Sequence, residues 1–421
     1  MSQDQDVETS LNYDMLSRQM NGRITPLILG GPPGAGKTHA AMSLRNNDDE
    51  PFARIAAAGK TKEDFTTYPV PKELENGDFL IKQPITESSI LPLLAVNIGK
   101  GYGVLLVDDV TAADPSVQSA LLEIAQFGKI GEHQLGENVA VVFTGNGVSD
   151  GAYAAQWSSA LINRCHYVEF RASLEVWKNL PENINGDPIV LGFLEANKDA
   201  FAPEVTKQSE KQKFFDDKGR APSARQWTTL ANALQVQHGG YANFKKSILF
   251  KSVGQYCESL VGQKTASMLE TFATMMLTYP TAKQLMEDPT MWDRVSEVDK
   301  SKPGAVYAVA HSLRQYAAQI NNQINEQHGN KANTSKVAEK EKAELLLSFS
   351  KVVARLMDGA REQGAFCMRY LIASAPPDDV LKGLLADLVY GIDDADPVLA
   401  NAGFGDILKN IKEMGETLTK R

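Results

Sequence analysis

The sequence predicts an α/β fold in which helices cover a parallel sheet of five strands and a mainly α-helical region follows. Two observations support this prediction. Short apolar runs occur early in the chain, separated by segments with helix-like patterns, and no strand-like run follows about Ala172. The runs are 24–30, Phe52–Ala58, Val104–Val107, Val139–Phe143 and His166–Phe170.

Local signals support the individual elements. The first apolar run ends in a turn rich in glycine and proline, and a helix-compatible run from Lys37 to Arg45 follows it. After the third run, Asp114 and Pro115 supply an N-cap and a first-turn proline, and Gly128 ends the predicted helix. The strand–loop–helix order favours parallel strands.

Composition restricts the class of protein. The chain has 421 residues, which predicts two or three domains, and its formal charge of −9 argues against a surface that coats nucleic acid. Its three cysteines are widely spaced without a CxxC pair, which excludes a disulfide scaffold or a zinc ribbon. The apolar runs are too short to cross a bilayer, and the polar N-terminus does not resemble a secretory signal. We therefore expect a cytoplasmic protein without membrane insertion.

A glycine-rich segment lies between the first predicted strand and the helix after it. It fits the pattern G-x-x-x-x-G-K-[ST], in which backbone N–H groups turn toward phosphate oxygens. Lys37 is predicted to reach the β- and γ-phosphates of ATP, and the Thr38 hydroxyl is predicted to bind Mg²⁺. A chance glycine-rich turn is the alternative. The predicted ATP-binding residues are Gly31, Pro32, Pro33, Gly34, Ala35, Gly36, Lys37, Thr38 and His39.

Polar residues follow two later predicted strands. Val104–Val107 runs into Asp108 and Asp109, of which the first is predicted to hold Mg²⁺ and the second to polarise the attacking water. Val139–Phe143 leads to Asn146, which can hold that water against the γ-phosphate. Each motif taken alone is typical of a turn after a strand. Their order downstream of the glycine-rich segment, which we call the phosphate loop, favours the catalytic interpretation.

Two arginines complete the candidate site. Arg164 ends a predicted helix just before the fifth apolar run, where it can act as an arginine finger toward a neighbouring subunit, or simply favour the helix dipole. Arg225 lies in the first turn of a helix that Ser223 and Gln226 begin as a capping box. A cation is unfavourable at that end of a helix, so contact with the γ-phosphate explains its position better than a surface role does.

In their order along the chain, these motifs resemble the AAA+ ATPases, and particularly the MoxR-like branch. The glycine-rich loop and Asp108-Asp109 are similar to the Walker A and Walker B motifs of that family. The family's post-Walker-B helix and pre-sensor hairpin are similar to residues 119–126 and 129–139, and its LxxR helix is similar to residues 160–164. In the family the arginine of that helix is often followed by Phe, whereas this chain has Cys165 at that position. The similarity is specific over about 24–236 and looser beyond.

The resemblance implies a ring, commonly of six subunits, that binds ATP and Mg²⁺ at subunit interfaces and remodels or activates a protein client. Relatives in this branch often work with a von Willebrand A-domain protein. Asp109 stands where the ring ATPases usually have glutamate, so an ATP-gated assembly module with slow hydrolysis is one alternative. A nucleic-acid motor is another, and the acidic charge and the two glutamates at the hairpin tip, Glu132 and Glu137, argue against it.

The resemblance and the pattern of elements together predict three domains. An AAA+ α/β nucleotide-binding subdomain is expected at 1–175, a helical lid at 176–240 and a mainly α-helical domain at 241–421. Within the last of these, Met268–Leu277, Ala305–Gln319 and Leu345–Ile372 are predicted helices. The polar stretch 327–341 is predicted to be an exposed loop.

Overall fold

The computed structural model describes residues 16–66, 70–76, 78–82, 88–96, 101–147, 155–178, 180, 182–183, 185–203, 213–215, 222–300, 302–328 and 336–359. The chain divides into two compact units, each made of two segments. The first unit contains Met1–Asn179 and Ala202–Gln226, and the second contains Leu180–Phe201 and Trp227–Arg421. The division into three domains at 1–175, 176–240 and 241–421 stays a prediction.

The strands of the described residues all lie in the first unit. They are β1 (Leu27–Gly30), β2 (Phe52–Ala56), β3 (Val70–Glu73), β4 (Phe79–Lys82), β5 (Gly103–Asp108), β6 (Lys129–Ile130), β7 (His133–Gln134), β8 (Val139–Gly145) and β9 (His166–Glu169). Five of them form a parallel sheet in the order β2-β5-β8-β1-β9, while β3-β4 and β6-β7 are antiparallel pairs. The predicted parallel sheet of five strands is confirmed.

Burial explains why the central strands are continuous apolar runs. Every residue of β5 and β8 is buried, because helices and loops cover both faces of the sheet. Successive side chains alternate between two cores, so that Leu105 and Val107 pack on one face and Val104 and Leu106 on the other. The edge strand β2 instead alternates buried with more exposed positions.

The helices are α1 (Lys37–Met42), α2 (Lys62–Thr66), α3 (Pro115–Phe127), α4 (Ser159–Ile162), α5 (Leu174–Trp177), α6 (Pro188–Ala196), α7 (Ala224–Asn232), α8 (Val253–Val261), α9 (Gln263–Met276), α10 (Ala282–Glu287), α11 (Glu297–Lys300), α12 (Pro303–His328) and α13 (Lys336–Gly359). The predicted limits of α3 are confirmed: the Asp114 side chain accepts a hydrogen bond from the Ser116 N–H, and Gly128 follows with φ at 62°. No helix among the described residues is long and apolar enough to cross a membrane.

The second unit is built of helices around one core. A close crossing joins α6 to α12, where a Cβ added to Gly192 would lie 2.5 Å from both the Gly304 carbonyl oxygen and the Ala308 Cβ. Residues of α12 and α13, among them Leu313, Leu346 and Phe349, are fully buried in this core. The predicted helical character of this region is confirmed, although residues 360–372 of one predicted helix lie outside the described residues.

The prediction of a loop at 327–341 is wrong at both ends. Helix α12 continues to His328 and α13 begins at Lys336, while residues 329–335 lie outside the described residues. Lys340 lies on the outer surface of α13, where it pairs with Glu344 one turn later, whereas Ala338 on the same helix is fully buried. Polarity alone did not distinguish this helix surface from a loop.

Candidate nucleotide-binding site

The glycine-rich loop connects β1 to α1, as the motif requires. Gly31 and Gly34 both have positive φ, at 152° and 78°, a region that an L side chain rarely adopts. A Cβ added to Gly34 would also lie 2.9 Å from the Ser223 hydroxyl. Glycine at these positions lets the backbone turn tightly, and Ser223 packs directly against the loop.

Lys37 connects the loop to the end of β8. Its side chain is buried, and Nζ donates to the Gly31 carbonyl at 2.7 Å, the Pro32 carbonyl at 2.9 Å and Asn146 Oδ1 at 3.0 Å. The ammonium group therefore lies inside the curve of the loop. The structure brings Lys37 and Asn146 into contact, although 109 residues separate them in sequence.

Thr38 and Asp108 meet beside this lysine. The Thr38 hydroxyl lies 3.2 Å from Asp108 Oδ2 and 3.3 Å from Oδ1, and the Asp108 side chain is only 5% exposed. A hydroxyl and a carboxylate are hard oxygen ligands of the type that Mg²⁺ uses beside phosphates. The donor set fits a nucleotide-bound Mg²⁺, with Thr38 and Asp108 as the residues that would hold it.

Asp109 has an unusual backbone. Its φ and ψ are 57° and 41°, which makes it the one non-glycine residue with positive φ in the described part of the chain. Left-handed backbone is unfavourable for an L residue, although aspartate tolerates it better than most. The conformation turns the chain sharply between β5 and the short helix Val110–Ala112.

Thr144 was not among the predicted site residues, yet it connects both aspartates. It is fully buried in β8, its hydroxyl donates to Asp108 Oδ1, and the same oxygen accepts from the Asp109 N–H at 3.1 Å. The sequence signal was a hydroxyl residue inside an otherwise apolar buried run. Only the pairing of β5 with β8 shows what that hydroxyl contacts.

Arg54 is a second residue that sequence reasoning missed. It lies on β2 beside β5, and its Nε and Nη2 lie 2.8 and 2.7 Å from Asp108 Oδ2. A single arginine in an edge strand is an ordinary feature of a sequence, so no sequence signal identified it.

Asn146 is held from both sides. Its N–H donates to the Thr111 hydroxyl at 2.8 Å, while Oδ1 accepts from Lys37. Thr111 is buried in the short helix Val110–Ala112, which directly follows Asp109. This short helix therefore connects the backbone of Asn146 to the turn that contains Asp109. The side chain of Asn146 is thereby directed at the lysine inside the phosphate loop.

The two arginines lie in different surroundings. Arg225 lies in the first turn of α7 beside the phosphate loop, since a Cβ on Gly34 would lie 3.5 Å from the Arg225 Cβ. Arg164 follows α4, where its Nε donates to Gln126 Oε1 at 2.9 Å and its Nη1 donates to the Ala160 carbonyl at 2.8 Å. The structure thus brings Arg225 to the phosphate loop and holds Arg164 against the end of α3.

The remaining predicted residues complete the loop. Pro32, Pro33, Ala35 and Gly36 form it, with Ala35 buried and Pro33 exposed. His39 lies on the exposed side of α1. The predicted capping box differs in detail, because the Ser223 hydroxyl contacts the Gln226 side chain, at 3.0 Å from Oε1.

Comparison with known proteins identifies structures but no family. No family model and no curated protein matches this chain. A Cytophaga hutchinsonii protein assigned as an ATPase is 16% identical over 59% of this chain and 84% of its own, with a TM-score of 0.24. NtrX from Brucella abortus is 14% identical over 78% of this chain and 64% of its own, with a TM-score of 0.28. A RuvB variant from Thermotoga maritima is 10% identical over 71% and 81%, with a TM-score of 0.27.

Identities and TM-scores this low leave the geometry of the site as the basis for a function. That geometry is a phosphate loop with a buried lysine, next to a threonine–aspartate pair at the carboxyl edge of a parallel sheet. Ligands of open α/β sheets bind at this edge.

Proposed function

We propose that this chain is a Mg²⁺-dependent AAA+ ATPase of the MoxR-like branch. The observation that carries the proposal is the convergence of two contacts at the phosphate loop, Lys37 Nζ to Asn146 Oδ1 at 3.0 Å and Thr38 Oγ1 to Asp108 Oδ2 at 3.2 Å. The four residues come from three separate segments of the chain. Their convergence supplies a cation, an amide and two metal ligands within one small site, as nucleotide hydrolysis requires.

Each side chain has a distinct role in the proposed reaction. Lys37 binds the β- and γ-phosphates, and Thr38 and Asp108 hold Mg²⁺, which supplies charge neutralisation on the phosphate oxygens when it is bound. Asp109 accepts a proton from the attacking water, and Asn146 orients that water.

The arginines extend the proposal to an assembly. Arg225, beside the phosphate loop, contacts the γ-phosphate from the same subunit. Arg164 acts as a finger on the nucleotide of the neighbouring subunit, which requires an assembly of subunits, and the resemblance suggests a ring of six. The ring remodels a cytoplasmic protein client, for which a von Willebrand A-domain protein is the candidate that the resemblance suggests.

The test is ATP turnover per subunit as a function of protein concentration, with Mg²⁺ present. We expect turnover that rises with concentration and then saturates, because sites are completed between subunits. Lys37→Ala subunits, which keep Arg164, are then mixed with Arg164→Ala subunits, which keep an intact phosphate loop. The mixture should hydrolyse ATP faster than either variant alone.

The matched control mixes Lys37→Ala with Asn146→Ala, because both changes damage the same half of the site and cannot complement each other. Complementation in the control, or none in the first mixture, would contradict an arginine acting in trans. A wild-type protein that fails to bind ATP with Mg²⁺ would contradict the proposed function itself.

A second candidate is an ATP-gated assembly module that hydrolyses slowly. The observation that favours it is Asp109, whose side chain is one methylene shorter than the usual glutamate and begins from a left-handed backbone. Under this candidate, Asp109→Glu raises turnover several-fold, and an unchanged rate would reject the explanation.

A further inference from the structure

The Asp108 carboxylate has one partner that the proposed reaction does not use. Arg54 donates from both Nε and Nη2 to Asp108 Oδ2, at 2.8 and 2.7 Å. Thr38 and Thr144 contact the same carboxylate. Asp108 is therefore a buried carboxylate whose charge is balanced by a guanidinium.

This arginine and a bound Mg²⁺ need the same carboxylate. Thr38 Oγ1, which would bind the metal, lies at nearly equal distances from the two carboxylate oxygens: 3.3 Å from Oδ1, which accepts from Thr144, and 3.2 Å from Oδ2, which accepts both guanidinium hydrogen bonds. Magnesium beside nucleotides keeps several water ligands, and those waters donate to nearby carboxylate oxygens. Arginine N–H groups and metal-bound water thus compete for one set of lone pairs. Two cations held at one carboxylate also repel each other.

Only one of the two partners can move away. The Arg54 side chain is 49% exposed, whereas that of Asp108 is 5% exposed. Arg54 lies on β2, at the edge of the sheet, whereas Asp108 ends β5 in its interior. The arginine can turn into solvent without disturbing any strand pairing, but the carboxylate has to stay where it is.

We infer that Arg54 is the counterion of Asp108 in the metal-free protein and leaves that carboxylate when Mg²⁺ binds with the nucleotide. Arg54 thereby sets the Mg²⁺ concentration that the site requires. The inference rests on the proposed function, since it takes Thr38 and Asp108 as the metal-binding pair. A fixed arginine that merely orients the carboxylate for the metal predicts the opposite effect of removing it.

The experiment follows binding of the fluorescent nucleotide mant-ADP as free Mg²⁺ is increased, so that no hydrolysis is needed. Wild type is compared with Arg54→Gln and with Lys62→Ala. The Lys62 change removes one positive charge from the same unit, at a residue paired with Glu63 rather than Asp108. Thermal unfolding of each protein is measured in EDTA and with Mg²⁺ and ADP.

We expect the half-saturating Mg²⁺ concentration to fall about tenfold in Arg54→Gln, which corresponds to 1.4 kcal/mol, and to stay at the wild-type value in Lys62→Ala. Arg54→Gln should also unfold at a lower temperature than wild type in EDTA, with a smaller difference when Mg²⁺ and ADP are present. If Arg54→Gln does not fold, Arg54→Lys replaces it, with a smaller fall expected because a single ammonium cannot donate as the two guanidinium nitrogens do.

Two results would overturn the inference and leave the proposed function standing. One is an unchanged Mg²⁺ requirement in the Arg54 variants, and the other is a raised requirement, which would make Arg54 a residue that positions the carboxylate. Wild-type protein that binds no mant-ADP at any Mg²⁺ concentration would overturn the proposed function together with the inference.

Discussion

The hydroxyl of Thr144 accepts a hydrogen bond from the backbone N–H of Asp109 at 3.1 Å and donates to the side chain of Asp108. One buried hydroxyl thus contacts both the Asp108 carboxylate and the backbone where the chain turns after it. The contact exists because β8 pairs in parallel with β5, which places Thr144 beside the end of the neighbouring strand.

Replacing this hydroxyl tests its contribution. Thr144→Val keeps the shape of the side chain but leaves the Asp109 N–H without its acceptor, so the free energy of unfolding should fall by about 1–3 kcal/mol. Thr144→Ser keeps the hydroxyl and is the matched control, with a smaller loss expected. Urea denaturation measures both, and a valine variant as stable as wild type would show that the hydrogen bonds add nothing to stability.

The left-handed backbone of Asp109 has a cost that substitutions can measure. Asp109→Gly should be about 1 kcal/mol more stable than Asp109→Ala, because glycine adopts this conformation without the Cβ clash. Asp109→Asn should remain near wild type, since asparagine also tolerates a left-handed backbone. Equal stabilities of the glycine and alanine variants, measured by chemical denaturation, would contradict the conformation described for this residue.

The helix crossing in the second unit leaves no room for a side chain. Gly192→Ala places a methyl group 2.5 Å from the Gly304 carbonyl oxygen, and neither backbone can shift cheaply, so a loss of about 1–3 kcal/mol is expected. Gly254→Ala is the control: its added Cβ would approach only the Glu270 carboxylate, at 3.4 Å, and alanine favours a helix. The two variants should shift the thermal midpoint in opposite directions, and equal shifts would contradict the crossing.

Burial raises the pKa of the Cys257 thiol to about 12. Little thiolate forms at pH 8, so iodoacetamide should modify this residue in the native protein far more slowly than a free cysteine, and at the ordinary rate after unfolding. Mass spectrometry of the separate peptides measures each cysteine by itself. The raised pKa also makes the stability of the protein depend on pH. Because the folded form binds the thiol proton more tightly than the unfolded form, the free energy of unfolding falls as the pH rises from about 9 toward 12. Fast native alkylation would contradict this burial.

Sequence reasoning predicted the sheet and the set of residues at its edge, because both depend on signals that lie along the chain. Apolar runs indicate buried strands, and polar residues just after parallel strands must meet at one edge. Thr144 and Arg54 depend instead on which strands are neighbours and in what register, since Arg54 pairs with Leu106 and reaches Asp108 from there. A single sequence carries no signal for that register.

Helix α6 belongs to the second unit but lies in its first segment, Leu180–Phe201. After this segment the chain returns to the first unit over Ala202–Gln226. Val190, Leu191 and Phe193 of this helix are buried, with α12 of the same unit packed along it. A truncated protein that ends near residue 240, where the sequence suggested a domain limit, would keep α6 but lose the helix that covers it. Its apolar face would then be exposed to water, and such a fragment should aggregate or be degraded rather than report on the properties of the first unit alone.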